Sequence, residues 1–263
     1  MPYVHIRGID LYYEEHDSGP HLIVAHGALG SVATAPVFGL HAADIAARGL
    51  HIVSYDARGH GRSGYTTRRE DYHWTALADD MHGLIDALGL ERTSIYGSSM
   101  GAGAALMFTL AHPTRVDRLV LRNPPAFEID LKGPSRRLSG LMFLYRYFGA
   151  PVTAHILTML PGPAPRDRMR ALLRAQRPAA IVLAIQGLLS SQPLPAERLT
   201  EIEAPALVLT QPHDVMHPLR SGEILRERMR HAKLAVASSL TYWQQNPDVL
   251  THVIASFVKE RGS

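Results

Sequence analysis

The chain has 263 residues, of which 46% are apolar and 19% are charged, a balance that supports a sizeable core and excludes a disordered protein. The formal charge is only +3 and cysteine is absent, which excludes disulfides, thiolate metal sites and cysteine nucleophiles. Because the sequence shows no signal-peptide pattern and no apolar run of membrane-spanning length, we expect a cytoplasmic protein that binds neither nucleic acid nor membrane.

Short apolar runs alternate with longer amphipathic ones along most of the chain, the pattern of a parallel sheet covered by helices. The first two runs, joined through Gly8, predict an antiparallel hairpin. The predicted strands are Tyr3–Ile6, Leu11–Glu15, Leu22–Ala25, His51–Tyr55, Thr93–Tyr96, Arg118–Leu121, Ala206–Thr210 and Lys233–Ala237. The predicted helices are Val37–Arg48, Thr75–Leu88, Met100–Ala111, Pro218–Arg230 and Pro247–Lys259. Thr75 and Asn246 are the expected N-caps, and Pro218 and Pro247 suit a first helical turn.

Residues 124–204 break this alternation. The segment is long, mostly helical in pattern and bordered by Pro and Gly, and it contains no convincing strand. Long insertions of this kind usually have their own structure and cover a site. We therefore expect a core of residues 1–123 and 205–263 with a helical cap at 124–204.

Gly97-Ser98-Ser99-Met100-Gly101 has the pattern G-x-S-x-G. It follows a predicted strand and opens an Ala-rich predicted helix, which is the context of a nucleophile elbow. Glycines at 97 and 101 allow a sharp turn that side chains would block, and the serine at its apex is held strained and exposed. The helix N-terminus beside Ser99 favours a developing anion.

The chain resembles the α/β-hydrolase superfamily over nearly its whole length. His26-Gly27-Ala28 stands where the family places its oxyanion loop, and residues 56–63, Asp-Ala-Arg-Gly-His-Gly-Arg-Ser, match the family's D-x-R-G-x-G-x-S turn. The insertion falls where these enzymes carry their cap, and Asp214 follows the late strand after which the triad acid normally lies. The resemblance implies an α/β-hydrolase fold: an eight-stranded, mostly parallel sheet with helices on both faces and a helical cap.

Carried over to this chain, the resemblance implies a role for each matching residue. Ser99 would attack an acyl carbon, and the backbone N–H groups of Ala28 and Met100 would form the oxyanion hole. Asp214 would orient and support a histidine base.

The expected histidine is missing from its usual place. The family's triad runs Ser, Asp, His, with the histidine after the last strand, about seven residues before a proline that starts the final helix. Here that position holds Leu240, and no histidine occurs between 232 and 251. Because a serine hydroxyl is a weak nucleophile without a base, the standard triad is incomplete by this criterion.

Other residues are candidates for the missing base. His217 is three residues after Asp214, although a His-Pro pair there is more simply a helix start. His26 lies near the oxyanion loop, where its side chain usually braces that loop. Tyr242 is a further acid or base candidate, but an ordinary tyrosine pKa near 10 is far from neutral. His73 and His252 are weaker candidates.

Three functions fit these observations. The first is a serine hydrolase for a small, mainly apolar ester, lactone, thioester or C–C bond substrate. The second is a lyase, cyclase or decarboxylase that uses the same pocket, and the third is a ligand-binding protein without turnover. No metal or dinucleotide motif is present, so no cofactor is implied. The expected partner is a small-molecule substrate, and a monomer and a homodimer both fit the sequence.

Overall fold

A computed structural model describes residues 2–16, 19–125, 140, 142–149, 152–153, 155, 171–191 and 195–260. Its central element is a sheet of eight strands, which confirms all eight strand predictions with small shifts at the ends. The strands are β1 (Tyr3–Ile6), β2 (Ile9–His16), β3 (His21–Ala25), β4 (His51–Tyr55), β5 (Thr93–Ser98), β6 (Val116–Arg122), β7 (Ala206–Thr210) and β8 (Ala232–Val236).

The sheet has the order β1-β2-β4-β3-β5-β6-β7-β8. β1 pairs antiparallel with β2, as expected for the hairpin, and β2 pairs antiparallel with β4. All remaining neighbours are parallel. In such a sheet the carboxyl ends of the parallel strands meet at one edge, where ligands of open α/β sheets bind.

Helices connect the strands and cover the sheet. The α-helices with described bounds are α1 (Ala42–Ala46), α2 (Trp74–Ala87), α3 (Met100–Ala111), α4 (Pro178–Ser190), α5 (Leu219–Arg228), α6 (Tyr242–Gln245) and α7 (Pro247–Lys259). Residues 142–149 and 171–174 of the insertion are also helical. Short 3-10 segments occur at Val32–Phe38, Arg69–Tyr72, Pro113–Arg115 and Ala196–Glu201.

The core lies on both faces of the sheet because buried strand side chains alternate between the faces. On one face Leu119 and Leu121 pack with apolar residues of α2 and α3. On the other face Val120 packs with apolar residues of α1 and α7. This arrangement confirms the expected α/β-hydrolase fold and holds the carboxyl ends of the central strands in a fixed frame.

Three local helix predictions are wrong. The single helix expected over 37–48 is interrupted at Gly39, which adopts φ 76° and caps the preceding 3-10 segment. A Cβ at this position would lie 2.7 Å from the carbonyl oxygen of Trp243, so the close approach of another loop fixes the break. The N-cap of α2 is His73 rather than Thr75, and Pro218 is the N-cap of α5 rather than part of its first turn.

The described part of the 124–204 insertion contacts the core near the predicted oxyanion loop. The Gln176 side-chain amide donates hydrogen bonds to the carbonyl oxygens of Leu29 and Gly30, at 3.2 and 3.1 Å. In α4, a Cβ at Gly187 would lie 2.5 Å from the carbonyl oxygen of Arg69, so this helix packs closely on the core. The described residues of the insertion contain no strand, and the remainder of the predicted cap lies outside the described residues.

Candidate active site

Ser99 lies in a sharp turn between β5 and α3. Its backbone has φ 49° and ψ −107°, a conformation that costs a non-glycine residue about 1–3 kcal/mol and is typical of functional sites. The flanking glycines are required because any larger residue would place its Cβ too close to neighbouring backbone atoms, which explains the G-x-S-x-G pattern. One at Gly97 would lie 2.5 Å from the carbonyl oxygen of Gly101, and one at Gly101 would lie 2.2 Å from that of Ala25.

The structure brings three sequence-predicted candidates together in one chain of hydrogen bonds. His217 Nε2 lies 2.8 Å from Ser99 Oγ, and His217 Nδ1 lies 3.1 Å from Asp214 Oδ2. If Nδ1 carries the proton and donates it to the carboxylate, Nε2 is left to accept a hydrogen bond from the serine hydroxyl. This is the contact pattern of a nucleophile, a base and a group that orients the base.

The loop after β7 folds so that Asp214 and His217 meet. Asp214 Oδ1 accepts hydrogen bonds from the backbone N–H groups of Met216 and His217, both at 3.0 Å. A carboxylate that bonds backbone two and three residues ahead closes a tight turn. Pro218 then caps α5, so the turn ends with the His217 side chain directed at both partners.

Asp214 has a second side-chain partner. Gln211 Nε2 donates a hydrogen bond to Asp214 Oδ2 at 3.0 Å. Burial opposes ionisation of this carboxyl and raises its pKa. The opposing effects together are larger: hydrogen bonds and the charge interaction with His217, and the hydrogen bond from Gln211, hold the pKa of Asp214 below its ordinary value. Asp214 is therefore ionised at neutral pH and can support positive charge on His217.

The predicted oxyanion loop follows β3. A hydrogen bond of 2.7 Å from Gly30 N to the Gly27 carbonyl closes a turn around Ala28, and His60 Nε2 lies 2.8 Å from the Ala28 carbonyl. Met100 is the first residue of α3, where an N–H group has no partner within its own helix. Both Ala28 and Met100 line the cavity beside Ser99.

His26 has a bracing position. Its Nε2 accepts a hydrogen bond from the Ala57 backbone N–H at 2.9 Å, and its Nδ1 lies 2.8 Å from the Gly27 carbonyl. Burial lowers the pKa of His26 to about 3, so the ring is neutral near pH 7. Because both ring nitrogens contact backbone groups, His26 is not placed to take a proton from Ser99.

The remaining candidates lie apart from the Ser99–His217 contact. Leu240 lines the cavity and cannot accept a proton. Tyr242 begins α6 and is not part of the cavity lining. His73 caps α2, with its Nε2 3.3 Å from Ser190 Oγ, and His252 is exposed on α7. From the sequence we expect His217 to be simply part of a helix start. In the structure it precedes α5 and also contacts Ser99.

A cavity of about 560 Å³ surrounds the Ser99 hydroxyl, a size that suits a small organic molecule. Most of its lining side chains are apolar, and they come from the core and from the described part of the insertion. They include Leu29, Phe38, Trp74, Leu172, Ile185 and Leu188. Ser98 is also part of the lining.

Two kinds of feature are missing from the part of the chain that the structure describes. No group of three or more His, Cys, Asp or Glu side chains is arranged to hold a metal ion there. Within the same residues, no helix has the length and apolar character needed to cross a membrane.

Comparison with known proteins extends the likeness beyond single motifs. The chain is 25% identical over 265 residues to a 2-hydroxy-6-oxo-6-phenylhexa-2,4-dienoate hydrolase of Comamonas testosteroni. The aligned region covers 95% of this chain and 92% of the relative. Among solved structures, an esterase from Exiguobacterium antarcticum matches with a TM-score of 0.82 at 20% identity, over 98% of this chain and 99% of the other. The enol-lactonase from Burkholderia xenovorans LB400 matches with a TM-score of 0.83 at 19% identity, over 98% and 100%.

A family model described as the alpha/beta hydrolase fold matches residues 20–160. That match includes the oxyanion loop, the turn at 56–63 and the elbow around Ser99. Together with the sheet order and the position of the elbow, it establishes the family. The chain belongs to the α/β-hydrolase-fold family.

Proposed function

We propose that this protein is a serine hydrolase that cleaves a small, mainly apolar ester or lactone through a covalent Ser99 intermediate. The observation that carries the proposal is the 2.8 Å contact between Ser99 Oγ and His217 Nε2, with Asp214 on the far side of the ring. His217 thus supplies the base that the loop after β8 lacks. The named activities of the esterase and the enol-lactonase agree with this reaction class, and the dienoate hydrolase is likewise named as a hydrolase, although its name contains no ester or lactone.

The proposed reaction has two halves. Ser99 Oγ attacks the substrate carbonyl carbon while His217 Nε2 takes the hydroxyl proton, and the carbonyl oxygen gains a negative charge. The N–H groups of Ala28 and Met100 stabilise that charge, a contribution of about 3–4 kcal/mol for one such donor. Protonated His217 then gives its proton to the leaving oxygen, and an acyl-enzyme remains.

In the second half, a water molecule attacks the acyl carbon. His217 takes one water proton, the hydroxide adds to the carbon, and collapse of the intermediate breaks the bond to Ser99 Oγ. The proton on His217 returns to Ser99, so that the products are a carboxylic acid and an alcohol and the enzyme is regenerated. Asp214 keeps the ring in the tautomer that accepts protons on Nε2 and supports its charged form.

Hydrolysis of short 4-nitrophenyl esters tests the proposal. Ser99→Ala should lower turnover by about 10³-fold or more, because the nucleophile is lost. The matched control is Ser238→Ala, on the exposed loop after β8, which should keep native turnover. A serine-directed fluorophosphonate should add to Ser99 in the native chain and leave Ser99→Ala unmodified.

Two outcomes would contradict the proposal. Ester turnover that survives Ser99→Ala would point to chemistry in the same pocket without an acyl-enzyme. An inert native chain that binds esters without converting them, and that does not react with the fluorophosphonate, would point to a binding protein.

A further inference from the structure

Arg122 is a buried arginine in the wall of the Ser99 cavity. It ends β6, it is 2% exposed and it lines the cavity. Its Nη1 donates a hydrogen bond of 2.7 Å to the carbonyl oxygen of Phe38, another lining residue. Its Nε is buried and has no hydrogen-bond partner. Among the described residues, no carboxylate forms an ion pair with this guanidinium.

Arg58 shows how the same chain satisfies a buried guanidinium elsewhere. Arg58 is 1% exposed, and its Nε and Nη2 each donate to an Asp80 carboxylate oxygen at 2.7 Å. This two-point edge is the one that arginine uses to bind a planar carboxylate. In Arg122 the Nε of this edge has no hydrogen-bond partner.

An unpaired buried cation is unfavourable because it loses its hydration without gaining an opposite charge. At an ordinary core position an apolar side chain would serve better. In the wall of a ligand cavity the missing partner can be part of the ligand, and the guanidinium then adds charge-assisted hydrogen bonds that a neutral group cannot form.

Arg122 is also next to the reacting centre. Its carbonyl oxygen accepts a hydrogen bond from Ser99 N at 2.9 Å, and Arg122 pairs with Ser98 across β5 and β6. Its side chain projects to the same face as Val120, because side chains alternate along a strand. On that face the cavity wall is formed by Phe38, Leu40 and the residues after β8.

We propose that Arg122 binds a carboxylate of the substrate, so that the enzyme acts on esters or lactones that carry a carboxylate at a fixed distance from the scissile carbonyl. The inference rests on the proposed function because it names the substrate class of the same site. The apolar side chains hold the carbon skeleton, and Arg122 selects the anionic end.

Ligand binding to the Ser99→Ala protein tests this inference without turnover. Isothermal titration would compare the monomethyl esters of succinate, glutarate and adipate, which are monoanions, with the matching neutral dimethyl esters. We expect at least one monoanion to bind about tenfold or more tightly than its neutral partner, the size expected for a hydrogen bond to a charged group. Adding Arg122→Met to the Ser99→Ala protein should reduce that ratio of affinities to about one, and Arg122→Lys in its place should give an intermediate ratio.

The matched control is Arg118→Met. Arg118 lies on the same strand, but its guanidinium contacts Glu260, so this change should leave the ratio intact. If Arg122→Met fails to fold, Arg122→Gln replaces it, because glutamine keeps a hydrogen-bond donor without the charge and should likewise reduce the charged-to-neutral ratio. Equal affinity for every pair, or a ratio that Arg122→Met leaves intact, would overturn the inference.

The inference and the proposed function fail in different ways. If the native chain hydrolyses neutral esters but shows no carboxylate preference, the proposed function is supported and the proposed role of Arg122 is wrong. If the chain has no esterase activity but still prefers carboxylates in a way that depends on Arg122, the anion site is supported and the hydrolase proposal is wrong.

Discussion

At the scale of single residues, the position of His217 changes the interpretation of the chain. The loop after β8 offers Leu240 where the family places its histidine, and on that basis the triad is incomplete. The structure has the acid and a histidine three residues apart in one loop, with the histidine ring between Asp214 and Ser99. Our proposal that His217 is a relocated base accounts for the presence of both the strained elbow and Asp214.

The sequence contained a signal for this contact. Asp214 and His217 are spaced so that the carboxylate can accept two backbone N–H groups ahead of it and close a turn. The same residues, followed by Pro218, also form an ordinary helix start, and spacing cannot choose between the two. The choice depends on Ser99, which is 118 residues away in sequence, and only the folded sheet brings it close.

His26 provides a test of the buried environment around the oxyanion loop. In the folded chain its pKa is lowered to about 3 by burial, whereas an unfolded histidine titrates near 6.5. The unfolded chain therefore binds an extra proton below pH 6.5, so the stability of the folded chain falls as the pH falls and continues to fall until about pH 3. Between pH 7 and pH 5 this one residue should remove about 2 kcal/mol of unfolding free energy.

Urea denaturation at the two pH values measures this effect. His26→Gln can keep one acceptor and one donor but cannot titrate, so its loss between pH 7 and pH 5 should be smaller by about 2 kcal/mol. Burial also lowers the pKa of His60, which leaves a dependence of the same sign in the variant. An identical loss in both proteins would contradict the buried, neutral state of His26.

At the scale of elements, the sequence predicts strands better than helix ends. Most strands are short, largely apolar runs between turn residues, and all eight predictions are confirmed with end shifts of at most two residues. The apolar periodicity of 37–48 continues through Gly39, although the backbone there turns left-handed beneath α6. Such a break depends on a neighbour that is distant in sequence, so the local pattern does not contain it.

The elbow has a strict sequence requirement at its glycines. In Gly101→Ala the added Cβ would lie 2.2 Å from the carbonyl oxygen of Ala25, so α3 must move away from β3. We expect a loss of about 2–3 kcal/mol in unfolding free energy and a fall in turnover, because Met100, the proposed oxyanion donor, moves with the helix.

The matched control is Gly140→Ala, since a Cβ at Gly140 meets nothing within 4 Å. It should change the unfolding free energy by no more than about 0.5 kcal/mol. Thermal melting and ester turnover of both variants check the prediction. A Gly101→Ala protein with native stability and native turnover would show that the elbow tolerates a side chain.

At the scale of the whole molecule, the fold follows from sequence pattern, whereas the site requires the three-dimensional structure. The proposed nucleophile, the proposed acid and the predicted oxyanion loop are each marked by local motifs, and the sheet brings them to one edge. The unpaired Nε of Arg122 has no local signal, because an arginine at a strand end resembles any surface arginine in the sequence. Burial and the absence of a partner appear only when distant segments are packed together.

The described part of the insertion also acts at this scale. Gln176 joins it to the carbonyl groups of Leu29 and Gly30, next to the predicted oxyanion donor Ala28. The same segment adds apolar side chains, including Leu172 and Ile185, to the cavity. The insertion therefore contributes both to the shape of the cavity and to the support of the oxyanion loop.

The role of His217 as the base for Ser99 is the proposal on which the others depend. The most direct test is the turnover number for a short 4-nitrophenyl ester, measured for the native chain, His217→Ala and Leu240→His, with the exposed His252→Gln as the matched control. We expect turnover to fall about 10³-fold or more in His217→Ala, to show no gain in Leu240→His because a base is already present, and to stay unchanged in His252→Gln. Native turnover in His217→Ala, or a gain of orders of magnitude in Leu240→His, would contradict it.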